Sequence, residues 1–175
     1  MCEVSASGTP RVAGAQSPNC NPHEKGNDVS EASSTEGKVA VAREFLARVF
    51  NDHQPELAME YFTPQMTWHG GSLGTISGAE NVTGLLRTFI GALPDLVAVE
   101  QDIIASDDLV VMRLVVSATQ QGDLLGIPAT GKAVSWDAVD IYRVEDDGKI
   151  SEEWAADDMA AFASQLGALQ LPWAG

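Results

Sequence analysis

The sequence predicts an α+β fold in which a curved antiparallel sheet wraps around three to four helices. Three observations carry this. Helical periodicity is confined to the first half of the chain and to one late stretch. Four long apolar-rich segments follow one another between them. The turns Asp107-Asp108 and Asp146-Asp147-Gly148 are short enough to join antiparallel neighbours. Helices gathered ahead of a run of strands mark α+β, because a parallel sheet needs a crossover helix between successive strands.

Each element has a local reason. A first helix starts near Gly37, where Ala42, Phe45, Leu46, Val49 and Phe50 form one stripe at i, i+3, i+4 spacing; Asn51-Asp52-His53 ends it. Pro55 opens a second helix, since proline tolerates the first turn, and Leu57, Ala58, Tyr61 and Phe62 are its apolar side. Thr63-Pro64 stops it. Met66 to His69 reads as a short strand, and Gly70 to Gly74 as a loop. A third helix follows Ser77-Gly78, with Val82, Leu85, Leu86, Phe89, Ile90 and Leu93 as its stripe, and Pro94-Asp95 closes it. Strands are predicted at about 96–105, 109–119, 132–144 and 149–156, and a last helix at about 158–166. The order is α-α-β-α-β-β-β-β-α.

Residues 1–35 are rich in Ser, Gly, Pro, Asn and Glu without apolar period, and read as a disordered tail. Residues 36–170 form the domain and 171–175 a short C-terminal tail. Both cysteines, Cys2 and Cys20, fall in the N-terminal tail, so the domain has no thiol chemistry. That usage fits a reducing cytoplasm. The net charge of −15 argues against nucleic acid and against an anionic membrane surface. The chain shows neither a signal peptide nor an apolar run long enough to span a membrane. The histidines are scattered, so no metal motif appears, and no glycine-rich phosphate loop follows a strand.

The strand at 132–144 has two faces by its period of two. Val134, Trp136, Ala138, Asp140 and Tyr142 share one; Ser135, Asp137, Val139, Ile141 and Arg143 share the other. Two readings stay open for Asp137: a salt bridge or dimer-face contact, or, with a bulge, a second pocket acid. Arg113 stands in an apolar strand and points away from its apolar face, suiting an ion pair with Asp137 or another strand acid. His53 reads as a cap at the first helix's C-terminus. Glu153 and Asp157 share the face of Ala155, and Asp157 or Asp158 suits the N-cap of the last helix. Trp68, Trp136 and Trp154 suit either core packing or stacking on a flat aromatic ligand.

Several phrases together resemble the SnoaL-like branch of the nuclear-transport-factor-2-like (ketosteroid-isomerase-like) superfamily. They are FIGALPDL (Phe89 to Leu96), SDDLVVMRLVV (Ser106 to Val116), GDLLGIPATGK (Gly122 to Lys132), VDIYRVEDDGKISEEW (Val139 to Trp154) and QLG (Gln165 to Gly167), covering about residues 38–167. The resemblance implies an α+β cone, a homodimer and an aromatic polyketide as substrate. Trp68-His69-Gly70-Gly71, Trp136 to Asp140 and Pro172-Trp173 resemble most the anthracycline C-1 hydroxylation branch. That branch implies a hydroxylase with no bound cofactor, molecular oxygen as co-substrate and a separate NADPH-dependent reductase.

The resemblance also assigns residues. It turns Asp140 toward the cavity, with Trp136 and Tyr142 beside it, and sets His69 at the catalytic-base position of steroid isomerases and Phe45 at their oxyanion-hole tyrosine. Asp140, His69 and Asp137 are thus the catalytic candidates. Trp136, Trp68, Tyr142, Trp154, Phe45 and Glu153 are the substrate-binding ones. Aligned without a gap on Gly148-Lys149-Ile150 and Gln165-Leu166-Gly167, the cyclases' aspartate falls on Ala155, their strand histidine on Asp140, and their Gly-Thr-His on Ala118-Thr119-Gln120. Alanine transfers no proton, which moves the expectation from ring closure toward hydroxylation; Glu153 and Asp157, on the face of Ala155, are the candidates to replace the missing acid. A cyclase or isomerase using another acid, and a non-catalytic small-molecule-binding module, are the alternatives.

Overall fold

The computed structural model describes residues 34–173. Cys2, Cys20, His23 and nearly all of the predicted N-terminal tail lie outside the described residues. Helix α1 (Thr35–Phe45) begins two residues before Gly37, because Ser34 caps it by accepting the Gly37 N–H at 3.0 Å. It runs on as a π-helical turn, Leu46–Asn51. The predicted second helix is shorter than its stripe suggests. It consists of a 3₁₀ turn, Pro55–Leu57, and the single-turn α2 (Ala58–Tyr61).

Strand β1 (Phe62–His69) starts four residues before Met66 and contains Pro64, beside a register shift that spares the ladder its missing N–H. The glycine loop holds a 3₁₀ turn, Gly71–Leu73, then β2 (Thr75–Ser77), which no local signal announced. Helix α3 (Ala79–Ala92), β3 (Val97–Ser106), β4 (Leu109–Thr119), β5 (Ala133–Val144), β6 (Ile150–Asp157) and α4 (Met159–Leu166) fall within a residue or two of expectation.

The six strands form one curved open sheet in the order β2-β1-β6-β5-β4-β3. The sheet is mixed: β1 pairs with β6 in parallel, and the other pairs are antiparallel. The purely antiparallel expectation failed because it considered only neighbours in sequence. The chain between β1 and β6 carries the whole rest of the sheet, and β6 returns beside β1 from a distance. Register shifts in β3 near Gln101 and at the β5–β6 turn add local twist.

The helices cover one face of this sheet. Phe45 of α1 is fully buried, with ring centroids 5.4–5.8 Å from Phe50, Tyr61, Phe62 and Tyr142. Each such ring contributes about 1.5–3 kcal/mol by leaving water, so this cluster fixes α1 against β5. The segment between β4 and β5 is pinned by Gln120, buried completely. Its amide nitrogen lies 3.1–3.2 Å from the carbonyls of Gly122, Ile127 and Pro128, and its amide oxygen accepts from Thr130 N and Oγ1. Gly122 must be glycine, since a Cβ there would lie 2.9 Å from Ala92 Cα.

Candidate functional site

A cavity of about 610 Å³, its open mouth included, lies between the covered face of the sheet and the helices. The wall is apolar: Leu46 and Phe50 follow α1, Leu86 and Phe89 come from α3, Leu114 and Val116 from β4. Trp68 closes it from β1 and Trp136 from β5. Three carboxyl groups face into this space, Asp140 from β5 and Glu153 and Asp157 from β6.

Strand alternation and register bring them together. On β6, residues 153, 155 and 157 point the same way; on β5, residues 136, 138, 140 and 142 do. Asp140 stands opposite Ala155, with Glu153 opposite Tyr142 and Asp157 opposite Ala138. Asp140 is therefore the diagonal neighbour of both other acids, at a backbone separation of roughly 7–8 Å. Ala155, between them, leaves the room that a larger side chain would fill.

The three acids differ in surroundings. Asp140 is 7% exposed and its Oδ2 accepts the Tyr142 hydroxyl at 3.2 Å. Burial, then the charge of Asp157, pushes its pKa up to about 8, with the Tyr142 hydrogen bond pulling the other way. Glu153 is 3% exposed, its Oε2 has no hydrogen-bond partner, and burial followed by the charges of Asp140 and Asp157 holds it well above the usual carboxylate range. Asp157 is half-buried and accepts the Trp136 indole N–H at 2.7 Å. Burial raises it, while that hydrogen bond favours its ionised form. The cavity thus holds Asp140, which keeps its proton at neutral pH, Glu153, whose protonated form is favoured by burial and by its acidic neighbours, and Asp157, whose anion has a built-in partner.

Other predicted site residues lie elsewhere. His69 follows Trp68 on β1 and so faces the outer side of the sheet. Its Nε2 is 2.9 Å from Glu152 Oε1, its Nδ1 is 3.3 Å from Thr75 Oγ1, and its ring stacks on Trp154 at 5.4 Å and 13°. The hydrogen bond from His69, with a second from Arg143, holds Glu152 below the usual carboxylate range against the effect of burial. Trp154 therefore supports this outer network, with the Arg143 guanidinium 5.7 Å from its ring centre. Asp137 is exposed on the same outer side, with no bulge in β5 to turn it inward. Arg113 pairs with Asp102 at 2.6 Å, not with Asp137. His53 reaches the Leu96 carbonyl at 2.7 Å instead of capping its helix. Phe45 and Tyr142 lie in the aromatic core behind the cavity, Tyr142 touching it only through Asp140.

The N-cap of α4 is Asp158, which accepts the Ala161 N–H at 2.9 Å and leaves Asp157 free for the cavity. Asp157 is thus the acid for which the sequence left two roles open, a substitute for the missing cyclase acid and a helix cap, and the structure gives it to the cavity. The signal was available, since Asp157 is two residues from Ala155 and four from Glu153 on one strand. Among the described residues, no group of three or more His, Cys, Asp or Glu side chains is arranged to hold a metal ion. No described helix is long and apolar enough to cross a membrane.

A mixed sheet covered by helices on one face, with an acid-bearing apolar cavity between the layers, makes this an α+β domain. The chain belongs to the SnoaL-like polyketide cyclase family, whose model matches residues 40–166. No curated protein matches it. Among solved structures it is similar to AclR from Streptomyces galilaeus, described as a candidate hydroxylase, at 28% identity and a TM-score of 0.70, over 78% of this chain and 100% of AclR. It is similar to TsrD from Streptomyces laurentii at 28% identity and a TM-score of 0.66, over 75% and 96% of the two chains. It is also similar to IdmH from Streptomyces antibioticus, a candidate polyketide cyclase, at 25% identity and a TM-score of 0.62, over 77% and 99%.

Proposed function

We propose that this chain is a cofactor-independent hydroxylase that acts on an anthracycline-type aromatic polyketide. One observation carries the reading. The acid position of the cyclases is Ala155, yet the apolar cavity around it keeps Asp140 and Asp157 on either side. The similarity to AclR supports the same choice.

A separate NADPH-dependent reductase supplies two electrons by reducing the substrate quinone to a hydroquinone. Asp157, as carboxylate, takes a phenolic proton, which makes the ring electron-rich enough to add O₂ at carbon. Asp140, as carboxylic acid, delivers a proton to the outer oxygen of the resulting hydroperoxide as the O–O bond breaks and that oxygen leaves as water; the C–H bond at the oxygenated carbon breaks in the same step, its electron pair forming the carbonyl and its proton passing to the Asp140 carboxylate. The sum is hydroquinone plus O₂ giving hydroxyquinone plus water. Trp68 and Trp136 support the rings. His69, Asp137 and Trp154 have no part in this scheme, because they face away from the cavity. The reading includes a homodimer, for which Val97, Val99 and Ile104, exposed on β3, offer apolar surface; sedimentation equilibrium measures it.

The test is incubation with a hydroxylated anthraquinone, NADPH and a quinone reductase under ¹⁸O₂. One labelled oxygen in the product is expected. Product formation unchanged without oxygen would sink the proposal. A ring closure run by Asp140 with Tyr142 is the second reading, favoured by the similarity to IdmH. Oxygen-independent cyclisation abolished by Asp140→Asn would establish it. Ligand binding without turnover, unaffected by Asp140→Asn, would make the chain a binding module.

A further inference from the structure

The geometry points to Glu153 as the residue with which the cavity selects its ligand, its carboxyl meeting a carbonyl oxygen on the ring system that enters. This deepens the aromatic-polyketide reading and rests on it.

Glu153 is the most buried of the three cavity acids. Asp140 has Tyr142 and Asp157 has Trp136, but Glu153 Oε2 has no partner. Among the described residues, the other buried side-chain atom left in this state is Thr83 Oγ1, which does not line the cavity. An unpaired carboxyl group in an apolar site costs free energy until something bonds to it. Asp140 and Asp157 already have partners of their own and the rest of the lining is hydrocarbon, so the partner comes with the ligand. Burial, and then the charges of Asp140 and Asp157, favour the protonated form of Glu153, which is a hydrogen-bond donor. A donor selects a carbonyl oxygen over a C–H edge of the same shape. A flat ring ketone or quinone fits, and a bare hydrocarbon of equal size leaves the acid unpaired.

The probes are 1-tetralone and tetralin, which share a skeleton and differ by the one carbonyl. Their affinities would be measured by quenching of tryptophan fluorescence in wild type, Glu153→Gln and Glu153→Leu. Wild type should prefer the ketone by about tenfold, the worth of one buried hydrogen bond. Glu153→Gln keeps an N–H donor and should retain most of the preference. Glu153→Leu should lose it while binding tetralin at least as well. A preference that survives Glu153→Leu overturns the assignment and leaves the aromatic-ligand reading intact. Neither probe binding wild type overturns both. If Glu153→Leu does not fold, the carbonyl stretch of bound 1-tetralone carries the test. It should lie below its value in hydrocarbon solvent for wild type and shift less for Glu153→Gln; identical frequencies in the two proteins would overturn the assignment.

Discussion

Asp140→Asn should stabilise the fold at neutral pH while impairing the reaction. In the folded chain Asp140 titrates at about 8 because it is buried beside Asp157. In the unfolded chain its pKa is near the ordinary ~3.9. At about pH 7 folding therefore requires Asp140 to take up a proton, at about 1.4 kcal/mol per pH unit above 3.9, or roughly 4 kcal/mol. Asparagine has no charge to surrender and can still accept the Tyr142 hydroxyl.

The sign is that of a raised acid. Wild-type stability falls as pH rises from the unfolded pKa to the folded one, because the native state binds more protons than the unfolded state. Carboxylates held low by partners, such as Glu56, Asp95, Glu100, Asp108 and Glu152, act in the other direction. Their contribution is lost below about pH 4, outside the window of interest. Burying the amide adds a constant offset, so the slope is the informative quantity. Urea unfolding of both proteins at intervals between about pH 5 and about pH 8 should show the variant's advantage growing by ~1.4 kcal/mol per unit. Parallel stability curves would refute the idea that Asp140 carries a proton in the fold. A gain in stability with loss of turnover is the usual mark of a strained functional group.

Three further outcomes test other parts of the site. Trp136→Phe removes the N–H that favours ionised Asp157, so the acidic limb of the pH–rate profile should move to higher pH; an unmoved limb would remove Asp157 as the base. His69→Ala should leave kcat within about threefold, because the ring lies outside the cavity and a positioned acid or base contributes about a hundredfold or more; a loss of that size would return His69 to the chemistry. Gln120→Leu strips several buried partners from the loop between β4 and β5, and urea unfolding should show a loss of about 2–4 kcal/mol; a change well below that would mean the loop is held by other contacts.

Much of the site was legible because strands alternate. Asp140, Trp136 and Ala138 were placed on one face by counting, and the structure has them on one wall. The same rule bears on three pairs of predicted site residues. Trp68 and His69, Trp136 and Asp137, and Glu153 and Trp154 are neighbours on regular strands, so only one of each pair can face the cavity. The structure takes Trp68, Trp136 and Glu153. Alternation forbade the other three from sharing the cavity, although it could not say which member of each pair to keep. Asp157 stayed open between cavity acid and helix cap because two adjacent aspartates both suited the cap, and the cap bond is made by Asp158.

The sequence by itself determined the class of fold, the long strands and helix α3, the faces of β5 and β6, and the absence of an acid at Ala155. These are local properties, written in residue type and periods of 2 and 3.6. Tertiary structure alone decided that β1 runs parallel to β6, that β2 exists, and that Asp140 falls opposite Ala155 between Glu153 and Asp157. Those facts depend on pairing between segments distant in sequence. Which wall closes over an acid, and hence whether it keeps its proton, is set by what that pairing places around it.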